Sequence, residues 1–175
     1  MGRPGPLTAA ERPEARLTLR PATDEDAALL LSLRNDPEAV RYSGTGRTVT
    51  PAEHATWLAR HLGDPGTHLW IAEERGIPVG QVRVDAEAGT GTVSIAMATG
   101  ARGRGLGSAA LRAMVLEVER HRVVGTLRAL VHSGNPASLR AFELAGFHQL
   151  GTRDGEFLVL ERAVTPPSEG APSGQ

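Results

Sequence analysis

Hydrophobic and polar positions change period several times along this chain, and each change marks an element. Residues 16–20 (Arg-Leu-Thr-Leu-Arg) alternate with the two-residue period of a strand, which Pro21 closes. Thr23 stands three residues before Asp26, a capping-box spacing. A Leu-rich face over 24–34 then predicts a helix, broken by Asn35-Asp36-Pro37. Residues 41–49 predict a loop. Thr50, Pro51 and Glu53 combine an N-cap, a proline at the first helical position and an acid at the third. Ala55, Leu58, Ala59 and Leu62 recur at helical spacing after them and are expected to face the core, with Gly63 as the stop.

The period then returns to two. Residues 68–74, 79–85 and 92–98 predict three strands of a meander, separated by turns at Arg75-Gly76 and Gly89-Thr90-Gly91. The last of them runs into a glycine-rich turn and a helix over about 107–121, with Ala110, Ala113, Met114 and Val118 on one face. Residues 126–131 predict a buried strand, 136–145 a helix with Gly146 just past its end, and 147–152 and 156–161 two strands joined at Asp154-Gly155. The order βααβββαβαββ is a mixed α/β (α+β-like) layer architecture without internal repeats.

Composition narrows the function. The chain has 175 residues, with 19 Lys+Arg against 20 Asp+Glu and six aromatic residues. That balance gives no bulk attraction for nucleic acid or an anionic membrane, and few stacking platforms for bases. Cysteine is absent, which excludes disulfides, thiolate metal sites and a Cys nucleophile; no metal is expected. The first residues lack the apolar run of a secretory leader, and no window approaches the ~20 apolar residues of a membrane span, so a cytoplasmic location is expected. Residues 1–14 and 164–175 are rich in Pro, Gly, Ser and Ala and are expected to be disordered tails around one domain at about 15–163.

The candidate chemistry sits in Arg102-Gly103-Arg104-Gly105-Leu106-Gly107-Ser108, between a strand and a helix. A helix N-terminus leaves backbone N–H groups unpaired and favours anions, and glycines let the main chain approach a phosphate closely. Arg102 and Arg104 add charge, so the turn predicts a pyrophosphate cradle. A nucleotide P-loop would need Lys-Ser/Thr after the glycines, and none is present. Residues 105–110 match the dinucleotide pattern G-x-G-x-x-A, but the turn follows an antiparallel-looking meander rather than an opening βαβ unit.

Taken with a second motif, this turn resembles that of the GNAT superfamily of acetyl-CoA-dependent N-acetyltransferases. Arg102-x-x-Gly105-x-Gly107 matches the family's pyrophosphate motif. Asn135-x-x-Ser138, with Gly146-Phe147 eleven and twelve residues after Asn135, matches its following helix and the Gly-Phe end. The likeness spans roughly residues 16–161. It implies acetyl-CoA as acyl donor and a mostly antiparallel sheet with two splayed central strands. The pantetheine arm would pair with the free edge of the first, here about residues 94–98, by the main-chain hydrogen bonding of strand addition. The residues implied to hold acetyl-CoA are Met97, Ala98, Arg102, Gly103, Arg104, Gly105, Leu106, Gly107, Ser108, Asn135 and Ser138, with a backbone N–H near Met97 as oxyanion donor. Read without the family, Asn135 is a helix N-cap and Ser138 a helix-surface serine.

The sequence departs from the family at two positions. Phe142 stands where many members place an acid Tyr, and Ser94-Ile95-Ala96-Met97 offers no Glu base. Asp85 and His54 are the catalytic candidates for the base, followed by Glu73 and Glu74. On the acceptor side, 33–41 and Glu53-His54-x-x-Trp57 resemble members acting on nucleotide-linked amino sugars. That likeness implies Arg34, Asn35, His54 and Trp57 as substrate contacts, the first through a bidentate guanidinium. His54, Trp57 and His61 would line a helix face opposite the Ala55/Leu58/Leu62 stripe. The expected partner is therefore a small-molecule amine, with a ribosomal-protein type of peptide N-terminal acetyltransferase as the bordering alternative. A non-catalytic acyl-CoA-binding module is the alternative from another class. A homodimer is compatible with the sequence, which compels none.

Overall fold

The computed structural model describes residues 17–165, so the expectations for 1–14 and for most of 164–175 lie outside the described residues. A seven-stranded sheet runs β1 (Leu17–Pro21), β2 (Thr67–Glu74), β3 (Ile77–Glu87), β4 (Thr90–Met97), β5 (Thr126–His132), β7 (Phe157–Ala163), β6 (His148–Arg153). Every neighbouring pair is antiparallel except β4 and β5. Val164, assigned to a tail by composition, is instead packed in the core, and its N–H donates to the Gly125 carbonyl at 3.0 Å.

Among the described residues, five α-helices cover the sheet: α1 (Ala27–Arg34), α2 (Pro37–Arg41), α3 (Pro51–Leu62), α4 (Leu106–His121) and α5 (Pro136–Leu144). Three of them start with a polar residue followed by proline: Asp36-Pro37, Thr50-Pro51 and Asn135-Pro136. In each the side chain accepts a backbone N–H of the first turn, which supplies a partner the helix lacks. The segment Asn35-Asp36-Pro37 is thus a stop and a start at once, which adds α2 to the two helices expected before the meander. The Thr23–Asp26 signal opens a 3₁₀ turn (Asp24–Asp26) that leads into α1.

α4 and α5 pack one face. Leu106, Leu111, Met114 and Val118 of α4 meet Val82, Val84, Val93 and Leu127 of the sheet, with Phe142 and Phe147 beside them. Each such side chain, fully buried, contributes about 1.5–3 kcal/mol. The opposite face carries a smaller cluster of Leu30, Leu58, Leu69 and Ile71 under α1 and α3. No helix among the described residues is long and apolar enough to cross a membrane.

The parallel contact sets up the site. β4 and β5 pair only at Thr90–Thr126, Gly91–Leu127 and Thr92–Arg128. Both strands continue, β4 to Met97 and β5 to His132, without further pairing between them. They splay.

Candidate functional site

The splay exposes one edge of β4, and the ladder on its other edge tells which groups lie there. The Ala98 N–H donates to the Val79 carbonyl at 2.9 Å, so Ala98 faces β3. In an antiparallel ladder neighbouring residues alternate, which turns the N–H and C=O of Val93, Ile95 and Met97 toward β5. β5 has diverged there, so the groups of Ile95 and Met97 lie on an open edge to which an extended amide chain can add. The Met97 N–H, the expected oxyanion donor, is among them. Its carbonyl is used by the Arg102 Nε at 3.1 Å. Ala98, also expected to contact the cofactor, has both backbone groups in hydrogen bonds, its carbonyl accepting the Ala101 N–H at 2.9 Å.

β4 leads through a 3₁₀ turn (Thr99–Ala101) into the glycine-rich turn. Gly103 and Gly105 have φ of 71° and 76°, the left-handed region that glycine enters without steric cost. That conformation aims the chain into α4. No side chain among the described residues caps α4, and its first turn carries no acid. The first intrahelical N–H is that of Ala109, to the Gly105 carbonyl at 3.1 Å. The amides of Leu106, Gly107 and Ser108 are the orphan donors of the helix start. Bare amides on a positive helix end fit a linked phosphate. The Ser108 side chain does not join them: it is buried, and its hydroxyl donates to the Gly105 carbonyl at 3.0 Å.

The two arginines of the turn are engaged by the protein itself. Arg104 places one nitrogen 2.8 and 2.7 Å from the two carboxylate oxygens of Glu74. Arg102 donates to Asp36 Oδ1 and Glu38 Oε2, both at 2.7 Å. Both guanidinium groups expected to add charge beside a pyrophosphate are thus paired with carboxylates, whereas no side chain among the described residues caps the amides of residues 106–108.

Asn135 and Ser138 meet at the start of α5, where Asn135 Oδ1 accepts the Ser138 N–H at 3.0 Å. This leaves the Asn135 amide nitrogen and the Ser138 hydroxyl uncommitted among the described residues. Phe142 is 2% exposed and meets Phe147 edge-on, centroids 5.0 Å apart, as a core residue without acid chemistry.

On the acceptor side three consecutive residues act as struts. Arg34 Nη2 donates to Thr45 Oγ1 (2.9 Å) and the Arg47 carbonyl (3.1 Å). Asn35, expected as a substrate contact, uses both ends of its amide on the backbone of Val49, each at 2.8 Å, and so braces the loop from within. Asp36 accepts from Arg102, from Thr99 Oγ1 at 2.9 Å and from the N–H groups of Glu38 and Ala39. Burial alone would raise the Asp36 carboxyl, but the hydrogen bonds from Arg102, Thr99 and Ala39 outweigh it and hold the group below its ordinary range.

α3 is rotated relative to expectation. His54 and Leu58 are buried and Trp57 and His61 half-buried, whereas Ala55, Ala59 and Leu62 face solvent. The reason is the surface beneath, where Arg83 and Asp85 stand beside Leu69 and Ile71. The Arg83 guanidinium lies 5.2 Å from the Trp57 ring centre, and His61 Nδ1 is 2.7 Å from the Trp57 carbonyl. Rings with polar edges suit such a layer better than alanines. His54 is 5% exposed, and burial pushes its pKa down, so its imidazole is neutral over a wider range than usual.

The other base candidates are paired. Asp85 accepts from Arg83 Nε (2.9 Å) and Thr67 (3.2 Å). It lies opposite Thr92, five residues from Met97, or about 17 Å along the strand. The structure thus does not bring Asp85 to the open end of β4. Glu73 pairs with Arg20 at 2.7 Å. Sequence reasoning missed Gln81, which shares a face with Ile71 and Ala96. Its Oε1 and the Nη1 of Arg34 are buried without a hydrogen-bond partner among the described residues. Only a β3 register could have signalled Gln81, since it reads as one polar residue of an alternating strand.

With this geometry in view, the comparisons are informative. The family model described as an acetyltransferase (GNAT) domain matches residues 16–148. The uncharacterized protein YkkB of Bacillus subtilis (strain 168) is 34% identical over 141 residues, 76% of this chain and 82% of that protein. AAC(6')-Ib, solved with ribostamycin and coenzyme A, superposes with a TM-score of 0.74 at 23% identity, covering 85% of this chain and 93% of that one. The spermidine N-acetyltransferase of Vibrio cholerae, solved with CoA and spermine, gives 0.77 at 16% identity, over 87% and 98%.

Proposed function

Because the chain belongs to the GNAT acetyltransferase family, an acetyl-CoA-dependent class of acyltransferases, we propose that it acetylates the primary amine of a small polar acceptor, an amino sugar either free or nucleotide-linked. The observation that carries the reading is the pairing of two unsatisfied backbone surfaces: the uncapped amides of α4 and the open edge of β4. The amides of residues 106–108 would hold the linked phosphates, and the β4 edge would align the pantetheine arm. Acetyl-CoA supplies a thioester whose carbonyl carbon is open to an amine.

The chain's own groups do the rest. The Met97 N–H donates to the carbonyl oxygen as charge builds on it. His54, kept neutral by burial, is the proposed proton acceptor, directly or through water. No protein acid is required, because a leaving thiol of pKa ~8.5 departs readily as thiolate.

The acceptor class follows from charge. Around the open end Asp36 and Glu38 pair with Arg102, Glu53 with Arg47, Glu73 with Arg20, and Glu74 with Arg104. A polycation would have to displace these arginines to find a carboxylate. Among the described residues, the buried Arg34 Nη1 and Gln81 Oε1 have no hydrogen-bond partner. They suit a neutral or anionic molecule rich in hydroxyl or phosphate oxygens.

The test is thiol release from acetyl-CoA with glucosamine, a UDP-linked amino sugar, spermidine, ribostamycin and a short peptide, beside calorimetry of acetyl-CoA binding. An amino sugar is expected to give the highest kcat/KM, with activity falling as pH drops through the lowered pKa of His54. Preference for spermidine or ribostamycin would overturn the acceptor class. Heat on acetyl-CoA binding without thiol release from any amine would favour the non-catalytic module.

A further inference from the structure

The Arg102 side chain belongs to the motif that resemblance assigns to the cofactor phosphates, yet its donors are directed elsewhere. We infer that Arg102 is a positioning residue for the acceptor: it fastens α2 as a strap across the mouth of the β4/β5 splay and leaves phosphate binding to the amides. The inference rests on the transferase reading above.

Both ends of the strap are visible. At its start, Asp36 takes Arg102 Nη2 at 2.7 Å and Thr99 Oγ1 at 2.9 Å, and Glu38 takes Arg102 Nη1 at 2.7 Å. Arg102 is itself anchored, by its Nε, to the Met97 carbonyl at the last residue of β4. One guanidinium thus joins the strap to the strand end that presents the oxyanion donor. At the other end, the Tyr42 ring packs on His132, the last residue of β5, with centroids 5.4 Å apart. The two anchors lie on the two strands that diverge. Residues 36 to 42 rise about 9 Å at ~1.5 Å per residue, close to two ladder spacings of ~4.8 Å. That is the width left when one extended chain lies between β4 and β5.

The planar guanidinium suits this duty. It holds two carboxylates and a carbonyl in fixed directions, which the point charge of lysine cannot do. Asp36 and Glu38 lie 66 and 64 residues away in sequence, and of the bonds that fasten the start of the strap only the one from Thr99 to Asp36 would survive removal of Arg102. Arg34 and Asn35, immediately before Asp36, brace the following loop at Thr45, Arg47 and Val49. Movement of the strap would therefore displace the acceptor side and leave the α4 amides in place.

The decisive variants are Arg102→Met, Arg102→Lys and, at the second anchor, Tyr42→Leu. Three readouts are compared: the Kd of acetyl-CoA by calorimetry, amide hydrogen exchange over residues 38–42, and the kinetics of the panel amine with the highest kcat/KM. Arg102→Met is expected to hold acetyl-CoA within about threefold of wild type, to speed strap exchange, and to lower kcat/KM for the amine about tenfold or more, mainly through KM. Tyr42→Leu should shift the same readouts in the same direction, and Arg102→Lys should recover only part of the loss. A tenfold or larger loss of acetyl-CoA affinity in Arg102→Met, with strap exchange unchanged, would make Arg102 a phosphate ligand and overturn the inference. Unchanged exchange and amine kinetics would overturn it too. No heat from acetyl-CoA with wild type would sink the transferase reading itself, before any variant is compared.

Discussion

Helices α3 and α4 begin in opposite ways. At α3 every available partner comes from the protein: Thr50 Oγ1 accepts the Glu53 N–H at 3.2 Å and Glu53 Oε2 accepts the Thr50 N–H at 2.7 Å. At α4 the residue before the helix is a left-handed glycine with no side chain to offer, and no carboxylate stands in the first turn. Both helices face the same requirement, since the first amides of any helix lack internal partners. The difference teaches where binding resides. A capped end is finished, whereas an uncapped end beside an open strand edge is stable only with water or an anion on it.

The largest effect should come from finishing the unfinished end. Gly105→Asp places a carboxylate against the amides of residues 106–108. Acetyl-CoA affinity is expected to fall at least about 100-fold, or about 2.7 kcal/mol and more, measured by calorimetry. Asp tolerates left-handed backbone, so the fold should lose no more than about 1–2 kcal/mol in a denaturant titration. Near-wild-type affinity in a folded variant would mean that the phosphates bind elsewhere.

Asn135 sharpens the comparison because it belongs to both classes. Its Oδ1 caps α5 through the Ser138 N–H, while its amide nitrogen is uncommitted. Asn135→Ala should therefore cost about 1 kcal/mol of stability as a lost cap and also weaken acetyl-CoA several-fold. Asn135→Asp keeps the cap and removes the donor. If it binds acetyl-CoA as well as wild type does, the side chain is structural only.

The same contrast explains what was legible in the sequence. The order of elements along the chain, the meander and the glycine-rich turn depend on glycine spacing and on a period of two, and both are local. The cap at Asn135 follows from the same local rules, whereas the strand addition edge was expected only from the family resemblance. The acceptor side depends on pairs far apart in sequence. Arg102 reads as a charge beside a phosphate, and only the fold shows Asp36 and Glu38 against it. The family likeness suggests Asn35 as a substrate contact, and only the fold shows Val49 meeting both ends of its amide. The rotation of α3 was illegible for another reason: alanines and leucines outrank His54 and Trp57 in apolarity, but the surface under α3 contains an Arg–Asp pair. Asp36-Pro37 is a different matter. It carries the same cap-and-proline signal as Thr50-Pro51, and taking the proline only as a breaker hides α2.

At α3 the reverse experiment is the simplest one. Thr50→Ala removes the cap of a helix start that Thr50 and Glu53 close between them, so it should cost about 1 kcal/mol of stability in a denaturant titration. Acetyl-CoA affinity should not change beyond the error of calorimetry. A loss of affinity comparable to that of Asn135→Ala would mean that the two helix starts are not independent.

The smallest effect tests the capping box by pH. The Thr50 N–H, helped by Arg47 and the Thr50 hydroxyl, lowers the Glu53 carboxyl from its ordinary 4.5 to about 2. A depressed carboxylate contributes stability that is complete above the unfolded value and is lost as protons bind the folded state. The window for Glu53 is therefore pH 4.5 down to about 2. Across it, the α3 amides should exchange progressively faster relative to those of α4, whose start has no acid to titrate. Glu53→Gln keeps an acceptor for the Thr50 N–H and removes the charge, so the difference between the two helices should become independent of pH. If α3 and α4 loosen in parallel through this window in the wild type, the carboxylate is not holding the end of α3, and the contrast between the two helix starts loses its electrostatic part.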